Sequence, residues 1–211
     1  GAIIVVALAI SFTSYLGQFE QIEKQNETEF ENMSQIQTPI LGSDSAPVTI
    51  IEIGDYQCEM CKHWFDHTRP KVIENYIDTG KANLIFMDMP FLGQHSYTAS
   101  HATYCALDQN KYWDYHVMLY EHQEEVYSGW ASNERLASFA FRLGLDVDDF
   151  AYCMDSKKYF NQVKLSYEKS VNIIGAKSTP TFLLVNTSGE QTLIRGAQPF
   201  STFQNVIESL L

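Results

Sequence analysis

Two cysteines three residues apart stand in Asp55-Tyr56-Gln57-Cys58-Glu59-Met60-Cys61, where a strand pattern gives way to a helix pattern. Ahead of them, Val48-Thr49-Ile50-Ile51-Glu52-Ile53 is a short apolar, β-branched run just after a proline, which reads as a buried strand. Behind them, Cys61, Trp64, Phe65, Val72, Ile73, Tyr76 and Ile77 recur near helical spacing and form one apolar face. The junction puts Cys58 in the first turn of a helix. Free backbone N–H groups and the positive end of the helix dipole there favour a thiolate over a thiol. Cys61, nearly one turn on, is close enough to form or break a disulfide with it. A zinc half-site and two incidental core cysteines are the alternatives. Zinc normally takes four ligands, and the sequence has no second Cys-x-x-Cys or matching Cys/His cluster. His63 and His67 are near in sequence, but helical spacing points them away from the Cys58 sulfur.

The 211 residues suffice for one packed domain, or for one core carrying a large insertion. A formal charge of −12 argues against nucleic acid as a partner, because phosphate binding needs basic surface. Residues 1–17 differ in kind. They are apolar and uncharged, slightly short of the roughly 20 residues that span a bilayer, with no initiator Met and no basic n-region. The expectation is a transmembrane anchor or signal remnant, with a buried core helix as the alternative. No Ala-x-Ala-like cleavage site follows, which favours an anchor. Either way the remainder lies outside the cytoplasm, where disulfides persist. Residues 18–40 are rich in Gln, Glu and Asn and read as a solvated stalk. Three sequons, beginning at Asn26, Asn32 and Asn186, matter only in a cell that glycosylates secreted proteins.

Further along, the residues from Thr38 to Pro47 make a turn-rich entry to the first strand. The helix after Cys58 should kink at Pro70, which lacks a backbone donor, and end at Asp78-Thr79-Gly80. A second strand is expected over 83–89, closed by Pro90. Helical spacing dominates from 94 to about 155, giving helices over 97–109, 113–120, 133–143 and 146–154, with another over 159–174. Strands return at 181–185 and 191–194, and Ser201 is the expected cap of a last helix to Leu211. The order is βαβ, a helical insertion, then αββα. A Cys-x-x-Cys at the first βα junction of that order is the thioredoxin arrangement. The expected fold is α/β, thioredoxin-like, with residues 41–93 and 175–211 forming one domain around an all-helical insertion at 94–174.

From about Leu41 onward the chain resembles the DsbA-like thiol–disulfide oxidoreductases. The resemblance rests on Ala46-Pro47-Val48-Thr49-Ile50 leading into Asp55-Tyr56-Gln57-Cys58, on Asn110-Lys111-Tyr112-Trp113, on Gly175-Ala176-Lys177-Ser178-Thr179-Pro180-Thr181-Phe182, and on Gly196-Ala197-Gln198-Pro199-Phe200. It implies that Pro180 is cis and faces the Cys-x-x-Cys, with Thr179 offering backbone groups to a substrate chain. It also implies an acid at Glu52, beneath the buried cysteine, whose burial raises its pKa and suits it to exchange a proton with Cys61. A strand-edge glutamate facing water is the other reading of Glu52. Asp55 is a weaker candidate for that work and reads better as a turn residue. Relatives that look to have cysteines where Cys105 and Cys153 stand imply a structural disulfide, with two buried free cysteines as the alternative. The aromatic stripe Tyr112, Trp113, Tyr115, His116 and Tyr120 reads as core.

The expected function is a dithiol oxidase. Cys58 is the exposed nucleophile and Cys61 the more buried resolving thiol. Its partners are cysteine-containing exported proteins, a membrane redox partner that reoxidises it, and the membrane itself through the N-terminal segment. No cofactor and no metal is implied. One departure from the family pattern bears on direction. Strongly oxidising members often carry Cys-Pro-His-Cys, whereas Glu59-Met60 stand here. A carboxylate beside Cys58 raises its pKa relative to a histidine and makes the disulfide less oxidising. A reductase or isomerase, a non-enzymatic thioredoxin-fold chaperone, and a copper-handling protein using Cys58, Cys61 and Met60 stay open as alternatives.

Overall fold

The computed structural model describes residues 38–211. The anchor expected at 1–17, and the stalk up to residue 37, lie outside the described residues. Among the described residues, no helix is long and apolar enough to cross a membrane.

Strand β1 (Val48–Gly54) is central in a four-stranded sheet. Its apolar run continues on both faces because both are covered, and Val48, Ile50, Ile51 and Ile53 are all buried. β2 (Ala82–Asp88) lies parallel to it on one side and β3 (Thr181–Asn186) antiparallel on the other, with β4 (Gln191–Arg195) beyond β3. The register sets Glu52 beside Phe86 of β2 and Phe182 of β3. Paired residues share a face, so a carboxylate stands between two buried phenyl rings. β1 ends at Gly54, where a Cβ would come within 2.5 Å of the Phe86 ring and 3.2 Å of the Tyr120 hydroxyl. Only a residue with no side chain lets the strand end that close to the helical part.

The helix expected to kink at Pro70 is in fact two helices. α1 (Glu59–His67) buries Cys61, Trp64 and Phe65 and ends at Thr68. α2 (Arg69–Val72) then starts with Pro70 in its first turn, where a missing N–H costs nothing. One π-helical turn, Ile73–Ile77, follows, and Gly80 with φ +72° reverses the chain. The insertion consists of α3 (Gln94–Leu107), α4 (Tyr112–Glu121), α5 (Asn133–Arg142), α6 (Val147–Asp155) and α7 (Phe160–Asn172). Ser132 caps α5 and Asp146 caps α6, each accepting backbone N–H bonds from the first turn. The last helix, α8 (Phe200–Leu210), is not capped by Ser201, which lies inside its first turn. Pro199 with an extended backbone precedes it, and no side chain caps it.

Two apolar cores result. Trp64, Phe182 and Phe203 meet with ring centroids 4.7–5.7 Å apart where α1 and α8 cover the sheet. The second core joins α1 to the insertion through Tyr56, Phe65, Phe86, Tyr115, Leu119, Tyr120 and Trp130. Tyr112, Tyr115, His116 and Tyr120 of the aromatic stripe are buried, and Trp113 is partly so. A disulfide joins Cys105 of α3 to Cys153 of α6, with Cα atoms 5.7 Å apart.

Candidate active site

Cys58 is the residue that turns strand into helix. It has an extended backbone (φ −77°, ψ 117°) and occupies the N-cap of α1. Asp55 builds the turn before it. Its carbonyl accepts the Cys58 N–H at 2.9 Å and one carboxylate oxygen accepts the Gln57 N–H at 2.8 Å. The other oxygen accepts from Phe91 and Leu92 at 2.9 and 3.1 Å, tying this turn to the segment after β2. Asp55 is therefore a buried turn-former with its acceptors occupied.

Across from the motif, the Thr179–Pro180 peptide is cis. The Cys58 sulfur reaches the Thr179 carbonyl at 3.5 Å. Thr179 Oγ1 is buried and has no hydrogen-bond partner among the described residues. Cys58 is less open than an exposed nucleophile, with 8% of its surface accessible, because Thr179 covers it from the facing loop. Cys61 is fully buried. Both are free cysteines here, so this is the dithiol form.

The two thiols differ sharply. Cys58 is lowered from 9.0 to about 6. A hydrogen bond from Cys61 is the largest cause; Thr179 and the N–H groups of Cys61 and Met60 add to it, while burial opposes. Cys61 is pushed well above the ordinary thiol range, first by burial and then by the hydrogen bond and charge of Cys58 and the charge of Glu52. Glu52 is 1% exposed, and neither carboxylate oxygen has a hydrogen-bond partner among the described residues. Burial raises it to about 8, against a smaller lowering by the charge of Arg69. The solvent-facing alternative for Glu52 is thereby overturned, since strand β1 is central and not at an edge.

Three residues at the site had no signal in the sequence, and a fourth, Gln57, stood there only as part of the run from Asp55 to Cys58. Gln123, in the loop after α4, bonds the carbonyls of Tyr56 and Cys58. Gln57 anchors its amide on the Leu92 carbonyl and the Ser96 hydroxyl. Asp88 is buried, raised to about 7 by burial, and accepts from the Tyr104 hydroxyl at 2.9 Å. Arg69 lies over the Phe65 ring at 5.0 Å. All but Gln57 are brought in by folding from elsewhere in the chain, and none has a characteristic spacing. A cleft is lined by Gln57, Leu92, Gln94, His95 and Tyr127, and Cys58 is not among its lining residues. His63 and His67 stack on each other at 4.3 Å, exposed on α1. Among the described residues, His101, Cys105 and Cys153 bring ligand-type atoms within 4.8 Å of one another. The two sulfurs are bonded to each other and so offer no thiolate to a metal.

The chain matches the family described as Thioredoxin over residues 34–209. It is 31% identical over 145 residues to the probable disulfide bond formation protein D of Bacillus anthracis, covering 65% of this chain and 66% of that protein. It is also 31% identical over 136 residues to disulfide bond formation protein D of Bacillus subtilis, covering 59% and 61%. The chain thus spans about two thirds of the length of these curated relatives. Among solved structures, oxidised BdbD from Bacillus subtilis superposes with a TM-score of 0.73 at 26% identity, covering 82% of this chain and 92% of that one. Wolbachia pipientis alpha-DsbA1 gives 0.75 at 24%, covering 85% and 94%.

Proposed function

The chain belongs to the thioredoxin family and is DsbA-like within it, and from that premise we propose that it is a dithiol oxidase for exported proteins. The observation that carries this reading is the difference between its two thiols: Cys58 held at about 6, Cys61 pushed far above it. A stabilised Cys58 thiolate favours the reduced enzyme, and a disulfide whose reduced form is favoured is a strong oxidant.

In the oxidised enzyme a substrate thiolate attacks the Cys58 sulfur. The Cys58–Cys61 bond breaks, a mixed disulfide forms, and Cys61 leaves with the electron pair. Cys61 cannot remain a thiolate in its buried site, so it takes a proton. Glu52, near 8, still carries one at neutral pH and is the donor in this account. A second substrate thiolate then attacks the substrate sulfur of the mixed disulfide. Cys58 leaves as the thiolate its surroundings favour, and two electrons have passed to the enzyme. Thr179 lines the approach to Cys58 and offers its backbone to the substrate chain. A membrane redox partner removes the electrons. Residues 1–17, by their apolar sequence, hold the protein to the membrane with the active site on the extracytoplasmic side.

The test is to mix oxidised full-length chain with a reduced, unfolded protein carrying two cysteines. Stoichiometric oxidation of that protein is expected; Cys61→Ser, first loaded at Cys58 as a mixed disulfide with glutathione, should exchange glutathione for the substrate thiol and hold it as a mixed disulfide, and Cys58→Ser should be inactive. Effects on the partner that survive Cys58→Ser would replace the enzyme with a binding protein.

A further inference from the structure

The turn that aims Cys58 at its helix is held from outside by one side chain. Gln123 lies 65 residues away in sequence, just past α4. Its single amide nitrogen donates to the Tyr56 carbonyl at 2.6 Å and to the Cys58 carbonyl at 3.2 Å. An amide nitrogen carries two hydrogens, so both are used, one on each side of Gln57. The Cys58 carbonyl also accepts the first bond of α1, from Lys62 N–H at 3.1 Å. The Tyr56 carbonyl has no second partner among the described residues and belongs to a residue with no exposed surface. Without Gln123 it would be a buried, unsatisfied acceptor.

Gln123 is itself firmly mounted. Its backbone N–H donates to the Tyr120 carbonyl at 3.4 Å. His122 before it bonds the Met118 carbonyl through Nδ1 and receives an Arg142 N–H at Nε2, each at 3.0 Å. Glu124 after it pairs with Arg135 at 2.5 Å. Tyr120 stacks on Phe65 of α1 at 5.1 Å. The insertion therefore reaches over α1 and grips the two carbonyls that bracket the residue before the catalytic cysteine.

We infer that Gln123 is a positioning residue for Cys58, a bracket through which the helical insertion holds the nucleophile in line with the N–H groups of its own helix. Helix N–H groups stabilise a thiolate only when the sulfur lies near them; Cys58 holds the N-cap of α1, and the Met60 and Cys61 N–H groups are among the causes that lower its thiol. Freeing the Tyr56 and Cys58 carbonyls lets the backbone on either side of Gln57 rotate, and the sulfur drifts from that alignment. The positive ends of the Gln123 N–H dipoles, aimed into the same turn, are lost with it. This inference rests on Cys58 being the activated nucleophile proposed above.

The test measures the alkylation rate of the reduced full-length chain by iodoacetamide against pH, in wild type, Gln123→Met and Gln123→Asn. Methionine keeps the length and loses both donors; asparagine keeps the amide and is too short to reach. Neither changes charge, so Cys61 and Glu52, the groups coupled to the thiol pair, and Glu59 next to Cys58 in sequence are the same in all three. Expected is an upward shift of the alkylation midpoint in both variants, with the rate at pH 6 falling about two- to tenfold, the range that loss of ordinary hydrogen bonds covers. The plateau rate at high pH should change little. An unchanged midpoint in either folded variant overturns the inference, whatever happens to thermal stability. A wild-type Cys58 that titrates like an ordinary thiol instead overturns the reading of Cys58 on which it rests.

Discussion

At the scale of single residues, Glu52 sets a carboxylate's charge against full burial. Its folded value of about 8 lies above the ordinary 4.5 because the carboxylate loses water between Phe86 and Phe182. The folded state therefore keeps a proton that the unfolded chain gives up. Any stability linked to Glu52 is complete below about pH 4.5 and drains away as pH rises to about 8. Glu52→Gln removes that drain. Urea unfolding of both proteins at pH 4.5 and pH 8 should show the variant gaining on wild type by a few kcal/mol across the window. Parallel pH dependences would mean that Glu52 is better solvated than its burial implies. Asp88, also raised, titrates in both proteins and cancels. Glu52 was legible in the sequence as an acid inside an apolar run. Its covering was not, because that comes from Phe86, Phe182 and α1, and register is a property of the sheet.

Elements explain where the sequence pattern misleads. The apolar positions from Cys61 to Ile77 fit one helix, but the chain breaks at Thr68, so that Pro70 falls in a first turn instead of an interior. Spacing alone cannot tell these apart. Ser201 is the natural capping residue, yet α8 starts two residues earlier than a cap there would set, after Pro199, whose fixed φ already suits a helix entry. Within the insertion, the bond between Cys105 and Cys153 ties α3 to α6 across 48 residues of chain. Closing a loop of that length contributes about 4 kcal/mol in the chain-entropy model. Replacing both cysteines by alanine should cost about that much in urea unfolding while the reduction potential of Cys58–Cys61 stays put. Unchanged stability would show that close packing of α3 on α6 already supplies the constraint.

At the scale of the whole molecule, the strand–turn–helix with its two thiols lies where the sheet, the Thr179–Pro180 loop and the insertion converge. The sequence announced the first two through the Cys-x-x-Cys and Thr179-Pro180. It was silent on the third, because Gln123 sits in the polar run Glu121-His122-Gln123-Glu124-Glu125, which looks like any solvated loop. The expectation for Glu59 compares it with a histidine at the same place; within this chain Cys58 stands near 6, with hydrogen bonding to Cys61 the largest cause, opposed by burial. On the proposed function, that balance sets the direction of electron flow. The most direct test is the equilibrium reduction potential of Cys58–Cys61 in glutathione buffers, with each cysteine replaced by serine as a control. A value of about −120 to −150 mV is the predicted result and marks a disulfide donor; one near about −230 to −270 mV would contradict the account and mark a reductase.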